Sequence, residues 1–178
     1  MLSYEEGSSR LISVNGMRVP RFFNADLVKQ VLEYKARPRD VFVTTYPKCG
    51  TTWVQYLVWS LHNLDKLQGG HGVPTLSDLL NKEVPFLEWV GTEPLSQLPE
   101  PRLMKHHLPF SMAPYHPEAR YVVVVRNPFD CAVSFYHMRK NHWASAGLPE
   151  DYKFDDFFGS FMSGDVPYGS YFDHVLSW

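Results

Sequence analysis

The stretch "VFVTTYPKCGTTWVQYLVWSLHN", residues 41–63, changes its period in the middle. Its first five residues are a β-branched run of the kind that forms a buried parallel strand, and from Thr51 onward apolar side chains recur at helical spacing. Strand, loop and helix therefore meet at Tyr46 to Gly50. A helix that begins near Thr51 aims unpaired backbone N–H groups and its partial positive end into the preceding loop. Gly50 lets the backbone approach a ligand closely, Thr51 and Thr52 offer hydroxyl donors, and Lys48 adds a full positive charge. The stretch suits a phosphate-like anion; the alternative is an ordinary glycine-containing turn capped by threonine. The lysine precedes the glycine and no first glycine stands four residues earlier, so the order departs from the Walker A pattern of ATPases and GTPases.

A second unit of the same kind follows. "RYVVVVRNPFDCAVSFYHMRK", residues 120–140, reads as a buried strand, a tight loop and a helix. Asn127 suits the N-cap, Pro128 the first helical position and Asp130 the first turn. Arg126 ends the strand at its carboxyl end, where open α/β sheets place ligands, and Ser134 lies two turns into the helix. An arginine there suits a phosphate fork; the alternative pairs Arg126 with Asp130 and leaves Ser134 as a small packing residue. Two strand–loop–helix units indicate an α/β fold with a parallel sheet. Upstream, "NADLVKQVLEY" starts at a capping Asn24 and sets Leu27, Val28, Val31 and Leu32 on one helical stripe. Between the two units, residues 69–101 are rich in Pro, Gly and Leu, with a helical turn expected at "TLSDLL" and irregular backbone elsewhere. Insertions of that length commonly shape a pocket.

The third feature is "KHHLP", Lys105 to Pro109. On an extended backbone alternate side chains share a face, so Lys105 and His107 project together and His106 points away. A neighbouring lysine keeps a histidine unprotonated near pH 7, which suits a general base; a solvated or core histidine is the alternative. Adjacent histidines on a strand cannot both ligate one ion, and no third ligand follows at recognisable spacing, so no metal is expected.

Composition limits the remaining classes. The chain has 178 residues, 44% of them apolar and 15% aromatic, the length of one domain with enough apolar side chains for a core. With 17 basic and 19 acidic residues the formal charge is -2, so any anion is bound locally and no nucleic-acid partner is expected. The N-terminal residues are acidic and polar, unlike a signal peptide, and no stretch approaches the ~20 apolar residues of a membrane span. A soluble cytoplasmic protein is the expectation. Two cysteines, Cys49 and Cys131, are too few for a disulfide-stapled secreted domain and are expected to be reduced.

Taken together, "TTYPKCGTTW", "KHHLP", "VVVVRNPFDCAVSFYH" and "GDVPYGSYFDHVLSW" resemble, in order and spacing, the cytosolic sulfotransferases. These transfer a sulfuryl group from 3'-phosphoadenosine 5'-phosphosulfate (PAPS) to a hydroxyl or amine. The resemblance covers nearly the whole chain. It implies a central parallel sheet flanked by helices, with a P-loop-like phosphosulfate-binding strand–loop–helix. It further implies that Lys48 contacts the bridging oxygen, that Gly50, Thr51 and Thr52 hold the 5'-phosphate, and that Trp53 stacks on adenine. Arg126 and Ser134 would bind the 3'-phosphate, Lys105 the transferring sulfonate, and His107 would take the acceptor's proton. PAPS is then the donor and 3',5'-ADP the product, with no metal. A P-loop-like nucleotide-binding protein or kinase without sulfotransferase activity is the alternative reading.

Three positions depart from the family pattern. Cys49 stands where serine is commonest, and a thiol is a weaker hydrogen-bond donor than the serine hydroxyl held to restrain the lysine. His106 replaces a frequent threonine. The chain stops at Trp178, inside the helical pattern "YGSYFDHVLSW", and lacks the family's later "RKG" loop and dimerisation segment. Residues 1–178 are therefore expected to be one sulfotransferase domain truncated at its C-terminus, with sheet edge and apolar surface uncovered, and the full-length protein a homodimer. For the small-molecule acceptor, Phe22, Phe23, Phe86, Trp89, Tyr136, His137 and His142 could supply an aromatic wall suited to a phenol, steroid or aryl amine. Core packing is the alternative for these rings.

Overall fold

The computed structural model describes residues 11–142 and 151–178. It opens with a hairpin that was not anticipated: β1 (Leu11–Val14) runs antiparallel to β2 (Met17–Pro20). Asn15 and Gly16 join them at φ of 49° and 84°. That is the left-handed pair a tight two-residue hairpin turn demands, and the Asn-Gly dipeptide was its legible signal. Helix α1 (Ala25–Glu33) begins where expected, because the Asn24 side chain accepts from the N–H groups of Asp26 and Leu27. Val28 and Val31 form its buried stripe.

The sheet is built around β3 (Val41–Thr45), which α2 (Thr51–His62) and the short α3 (Leu64–Gln68) follow. The connection to the next strand is more regular than expected. It holds α4 (Leu76–Asp78), a π-turn at Leu79–Glu83, α5 (Leu87–Val90) and a 3₁₀ turn at Glu93–Gln97. Strands β4 (Leu103–His106) and β5 (Arg120–Val124) then pair in parallel on either side of β3, in the order β4-β3-β5. Helices α6 (Pro128–His142), α7 (Phe154–Ser163) and α8 (Tyr171–Ser177) complete the described chain.

Alternation along β3 divides the interior into two layers. Val41 and Val43 pack with Leu103 against Val58 and Trp59 of α2, while Phe42 and Met104 join Val28, Val31 and Phe135 on the opposite face. One expectation needs correction. The valine strand β5 is half-exposed, not buried: among the described residues it pairs on one side only, and Val123, Val125, Phe129 and Val133 are exposed.

A buried ion pair fixes where the strands start. Arg102 donates to Asp40 Oδ1 through Nε at 2.8 Å and Nη2 at 2.6 Å, and to the Tyr34 hydroxyl at 2.8 Å. Asp40 Oδ2 accepts from Tyr34 at 3.1 Å and from the Arg37 N–H at 2.8 Å. These residues immediately precede β3 and β4 and follow α1, so one cluster sets the alignment of all three. Removing one charge of a buried, fully hydrogen-bonded pair strands the other; Asp40→Ala is expected to cost about 3–5 kcal/mol in urea unfolding. A loss below about 1 kcal/mol would place the pair in the class of surface bridges.

Candidate active site

The β3–α2 loop has the backbone its sequence requires. Gly50, the residue before α2, adopts φ 97°, and Lys48 adopts φ 70°, a left-handed conformation that a non-glycine residue rarely holds. No side chain caps the start of α2. Gly50, Thr51, Thr52 and Trp53 at this end of the helix line a cavity, an arrangement that can receive an anion. Thr51 is buried with its hydroxyl 2.6 Å from that of Thr45, so it braces the strand end, while Thr52 is exposed.

The second unit is tied to the first. Arg126 donates from Nη1 to the Lys48 carbonyl at 3.0 Å, and the Tyr171 hydroxyl donates to the Arg126 carbonyl. Asn127 caps α6 as expected, accepting from the Phe129 N–H at 2.9 Å. Arg126 and Asp130 form no ion pair among the described residues, so the bracing alternative for this arginine is not what the fold adopts.

Lys105 and His107 do share a face. The Lys105 ammonium donates to His107 Nε2 at 2.9 Å, and His107 Nδ1 donates to the Thr45 carbonyl at 2.8 Å. A carbonyl can only accept, so Nδ1 carries the ring proton and Nε2 keeps its lone pair. His106 points away, stacked near Trp178 and accepting at Nδ1 from the Leu108 N–H. Burial, reinforced by the Lys105 charge, pushes His107 well below the ordinary histidine value. It is therefore neutral at pH 7.

Behind this pair lies a carboxyl group that sequence reasoning missed. Glu88 is fully buried, and its Oε1 accepts from the His107 backbone N–H at 2.6 Å. Burial raises the Glu88 pKa against the opposing pull of Lys105. Burial lowers the Lys105 pKa against the opposing pull of Glu88. The clue in "VPFLEW" was one acidic residue inside an otherwise apolar run. Tyr168, also missed, packs edge-on to His107 with centroids 5.2 Å apart, and its buried hydroxyl has no hydrogen-bond partner among the described residues.

A cavity of about 500 Å³ brings most of the expected residues together. Lys48, Gly50, Thr51, Thr52, Trp53, Lys105, His107, Arg126 and Ser134 all line it. So do Phe22, Phe23, Phe86 and Trp89, which meet edge to face with centroids 5.1–6.2 Å apart. Trp53 stands 70% exposed at the margin, a free face for stacking. Two expected wall residues are elsewhere. Tyr136 packs on Phe154 and Phe157 of α7 and donates to the Tyr152 carbonyl, and His137 is exposed. Helical phase explains this, since Ser134, Phe135 and Met138, which line the cavity, fall within one arc of about 100° around α6 and Tyr136 and His137 lie outside it. The His142 side chain lies outside the described residues. No group of three or more His, Cys, Asp or Glu residues is placed to hold a metal among the described residues, and no described helix is long and apolar enough to cross a membrane.

Fold and cavity first define a class: an α/β chain whose strand–loop–helix opens an uncapped helix end and a cationic cleft beside a neutral histidine. Residues 38–178 match the sulfotransferase domain, and the chain belongs to the sulfotransferase family. It is 35% identical to mouse sulfotransferase 1 family member D1 over 181 aligned residues, covering 94% of this chain and 57% of the relative. Mouse sulfotransferase SULT7A1, solved in complex with PAP, superposes with a TM-score of 0.71 at 28% identity, over 96% of this chain and 57% of that one. A retinol dehydratase solved with androsterone and inactive cofactor PAP gives 0.67 at 26% identity, over 94% of this chain and 57% of that one. The chain thus spans a little over half the length of these relatives.

Proposed function

We propose that these residues belong to a PAPS-dependent sulfotransferase, carrying the sulfuryl group to a hydroxyl or amine of a small, flat acceptor such as a phenol or steroid. The observation that carries this reading is the His107–Lys105 pair, a neutral base and an ammonium 2.9 Å apart in the cavity that the β3–α2 loop also lines. The donor's two anionic groups have matching partners: the open end of α2 with Lys48 on one side, Arg126 and Ser134 on the other. PAP in the mouse neighbour and androsterone in the retinol dehydratase support the nucleotide and the acceptor class. Bound PAPS supplies an activated sulfuryl group with a good leaving group.

The chain's own side chains then have distinct tasks. His107 Nε2 takes the acceptor's proton, held in the right tautomer by the Thr45 carbonyl. Before the acceptor arrives that lone pair is engaged by Lys105, so an acceptor O–H that displaces the lysine frees its ammonium to stabilise charge on the sulfonate. Lys48 offsets charge developing on the departing nucleotide, and transfer rests on positioning and electrostatics. The rings of Phe23, Phe86 and Trp89 hold the acceptor's apolar body. The chain is one sulfotransferase domain of a longer cytoplasmic protein that forms a homodimer, the location and assembly that the family pattern implies.

Glu88 positions this machinery without touching the acceptor. It opposes the loss of the Lys105 proton. In Glu88→Gln the N–H acceptor survives but the negative charge does not, so Lys105 titrates lower still. The basic limb of the pH–rate profile is expected to move towards acid by about 1 unit or more. A purely structural glutamate would leave the limb in place.

Transfer from PAPS to a panel of phenols, hydroxysteroids and aryl amines tests the function directly. Product on apolar, flat acceptors is expected. Tight 3',5'-ADP binding with no transfer to any of them would make this a nucleotide-binding protein instead.

A further inference from the structure

The two cysteines are far apart in sequence and together in space. Cys49 sits inside the β3–α2 loop and Cys131 in the first turn of α6, with their sulfurs 3.9 Å apart. Both are free and buried. Neither takes part in the chemistry above, yet each is wedged between groups that do. Cys49 lies between Lys48 and Gly50, and Cys131 donates to the Pro47 carbonyl at 3.3 Å. The Lys48 carbonyl is in turn the acceptor of Arg126.

We propose that Cys49 and Cys131 are a modification site that a small peroxide converts to an intrachain disulfide, and that this bond distorts the anion-binding loop. The consequence for nucleotide binding rests on the function proposed above; bond formation does not. The burial of both sulfurs selects the oxidant, because a bulky disulfide such as oxidised glutathione cannot reach them, whereas peroxide is close to water in size. Its path is the cavity, which Lys48 and Gly50 line on either side of Cys49.

Cys49 is the attacking group. The contact with Cys131 and then the nearby Arg126 lower its pKa, against the opposing effect of burial. The same contact and burial raise that of Cys131. The Cys49 thiolate attacks one peroxide oxygen, the O–O bond breaks, and hydroxide leaves with the proton Cys49 has released, giving water and a sulfenic acid. Cys131 sulfur then attacks Cys49 sulfur, the S–O bond breaks, and the departing hydroxide takes the Cys131 proton as a second water. Two thiols are oxidised and one peroxide is reduced to two waters. A small dithiol reverses the change by thiol–disulfide exchange.

The geometry sets the consequence. A disulfide needs its sulfurs ~2.05 Å apart, so from 3.9 Å the two sulfurs must approach by about 2 Å, through side-chain rotation and a shift of the loop against α6. Closure also removes the thiol donor from the Pro47 carbonyl and drags the Lys48 carbonyl against Arg126. With one charge-assisted contact to the nucleotide lost, affinity is expected to fall by about 10-fold or more.

The chain's two cysteines make the test clean. The purified chain is treated with dilute hydrogen peroxide; its thiols are counted under denaturing conditions, its intact mass is measured, and 3',5'-ADP is titrated before oxidation, after it, and after dithiothreitol. Expected are a fall from two thiols to none in the monomer, loss of the mass of two hydrogen atoms, weaker nucleotide binding, and recovery on reduction. Cys131→Ser keeps a donor for the Pro47 carbonyl, so it is expected to bind nucleotide when reduced and to form no intrachain bond. Persistent thiols, a sulfinic acid at Cys49 or a bond between chains would overturn the modification site. A disulfide formed with nucleotide affinity unchanged would overturn its coupling to the loop. A reduced chain that binds no 3',5'-ADP would instead contradict the proposed function and remove that coupling, with the thiol count still deciding whether the bond forms.

Discussion

Substituting His107 by alanine is expected to lower sulfuryl transfer by roughly 10²–10⁴-fold, the range of a single general base, with 3',5'-ADP affinity unchanged. The asymmetry follows from placement. His107 meets Lys105, Glu88 and Thr45 in the cavity beside Phe86 and Tyr168, whereas the groups proposed to bind the nucleotide's anions lie on the β3–α2 loop and at Arg126 and Ser134. The pH dependence carries the same assignment. His107 sits well below the ordinary histidine value, so the base is already deprotonated through neutrality and is lost only in acid. Activity should hold down to pH values below ~6.5, the unperturbed histidine pKa. It should fall on the basic side when Lys105, itself lowered by burial, gives up its proton. Loss of nucleotide affinity in the alanine variant would contradict the assigned role.

Lys48→Ala is expected to act differently, reducing turnover by about 10²–10³-fold, comparable to removing one preorganised donor from a developing oxyanion. Nucleotide binding should weaken with it, because on the proposed assignment the same ammonium also meets the nucleotide's anion. Arginine at this position should rescue binding better than turnover, since its planar fork does not reproduce a point charge. Steady-state kinetics with PAPS, alongside 3',5'-ADP titration, separates the two effects. A variant that turns over normally would remove Lys48 from the chemistry.

How much of this was legible beforehand can be read residue by residue. Local chemistry was visible: the change of period at Thr51, the cap at Asn127, and the shared face of Lys105 and His107 each follow from spacing over a few residues. The Asn15–Gly16 hairpin was equally local and was passed over. Groups brought from a distance were not visible. Glu88 reaches His107 only because α5 packs beside β4, and Tyr168 arrives from the turn before α8, its N–H held by the Arg18 carbonyl at 2.8 Å. Neither contact has a sequence period. The approach of Cys49 to Cys131 likewise depends on two neighbouring parallel strands delivering their loops to the same end of the sheet. Tyr136 and His137 show the reverse error, in which aromatic composition outweighed the helical phase that turns them away from the cavity.

Calorimetric titration of the reduced chain with 3',5'-ADP, set against 5'-AMP and ATP with and without magnesium, tests the central claim most directly. If Arg126 and Ser134 receive the 3'-phosphate and the open end of α2 the 5'-phosphate, 3',5'-ADP binds without metal and about 10-fold or more tighter than 5'-AMP, the worth of one charge-assisted contact. Equal affinity for the two nucleotides, or tighter binding of ATP that requires magnesium, would contradict it.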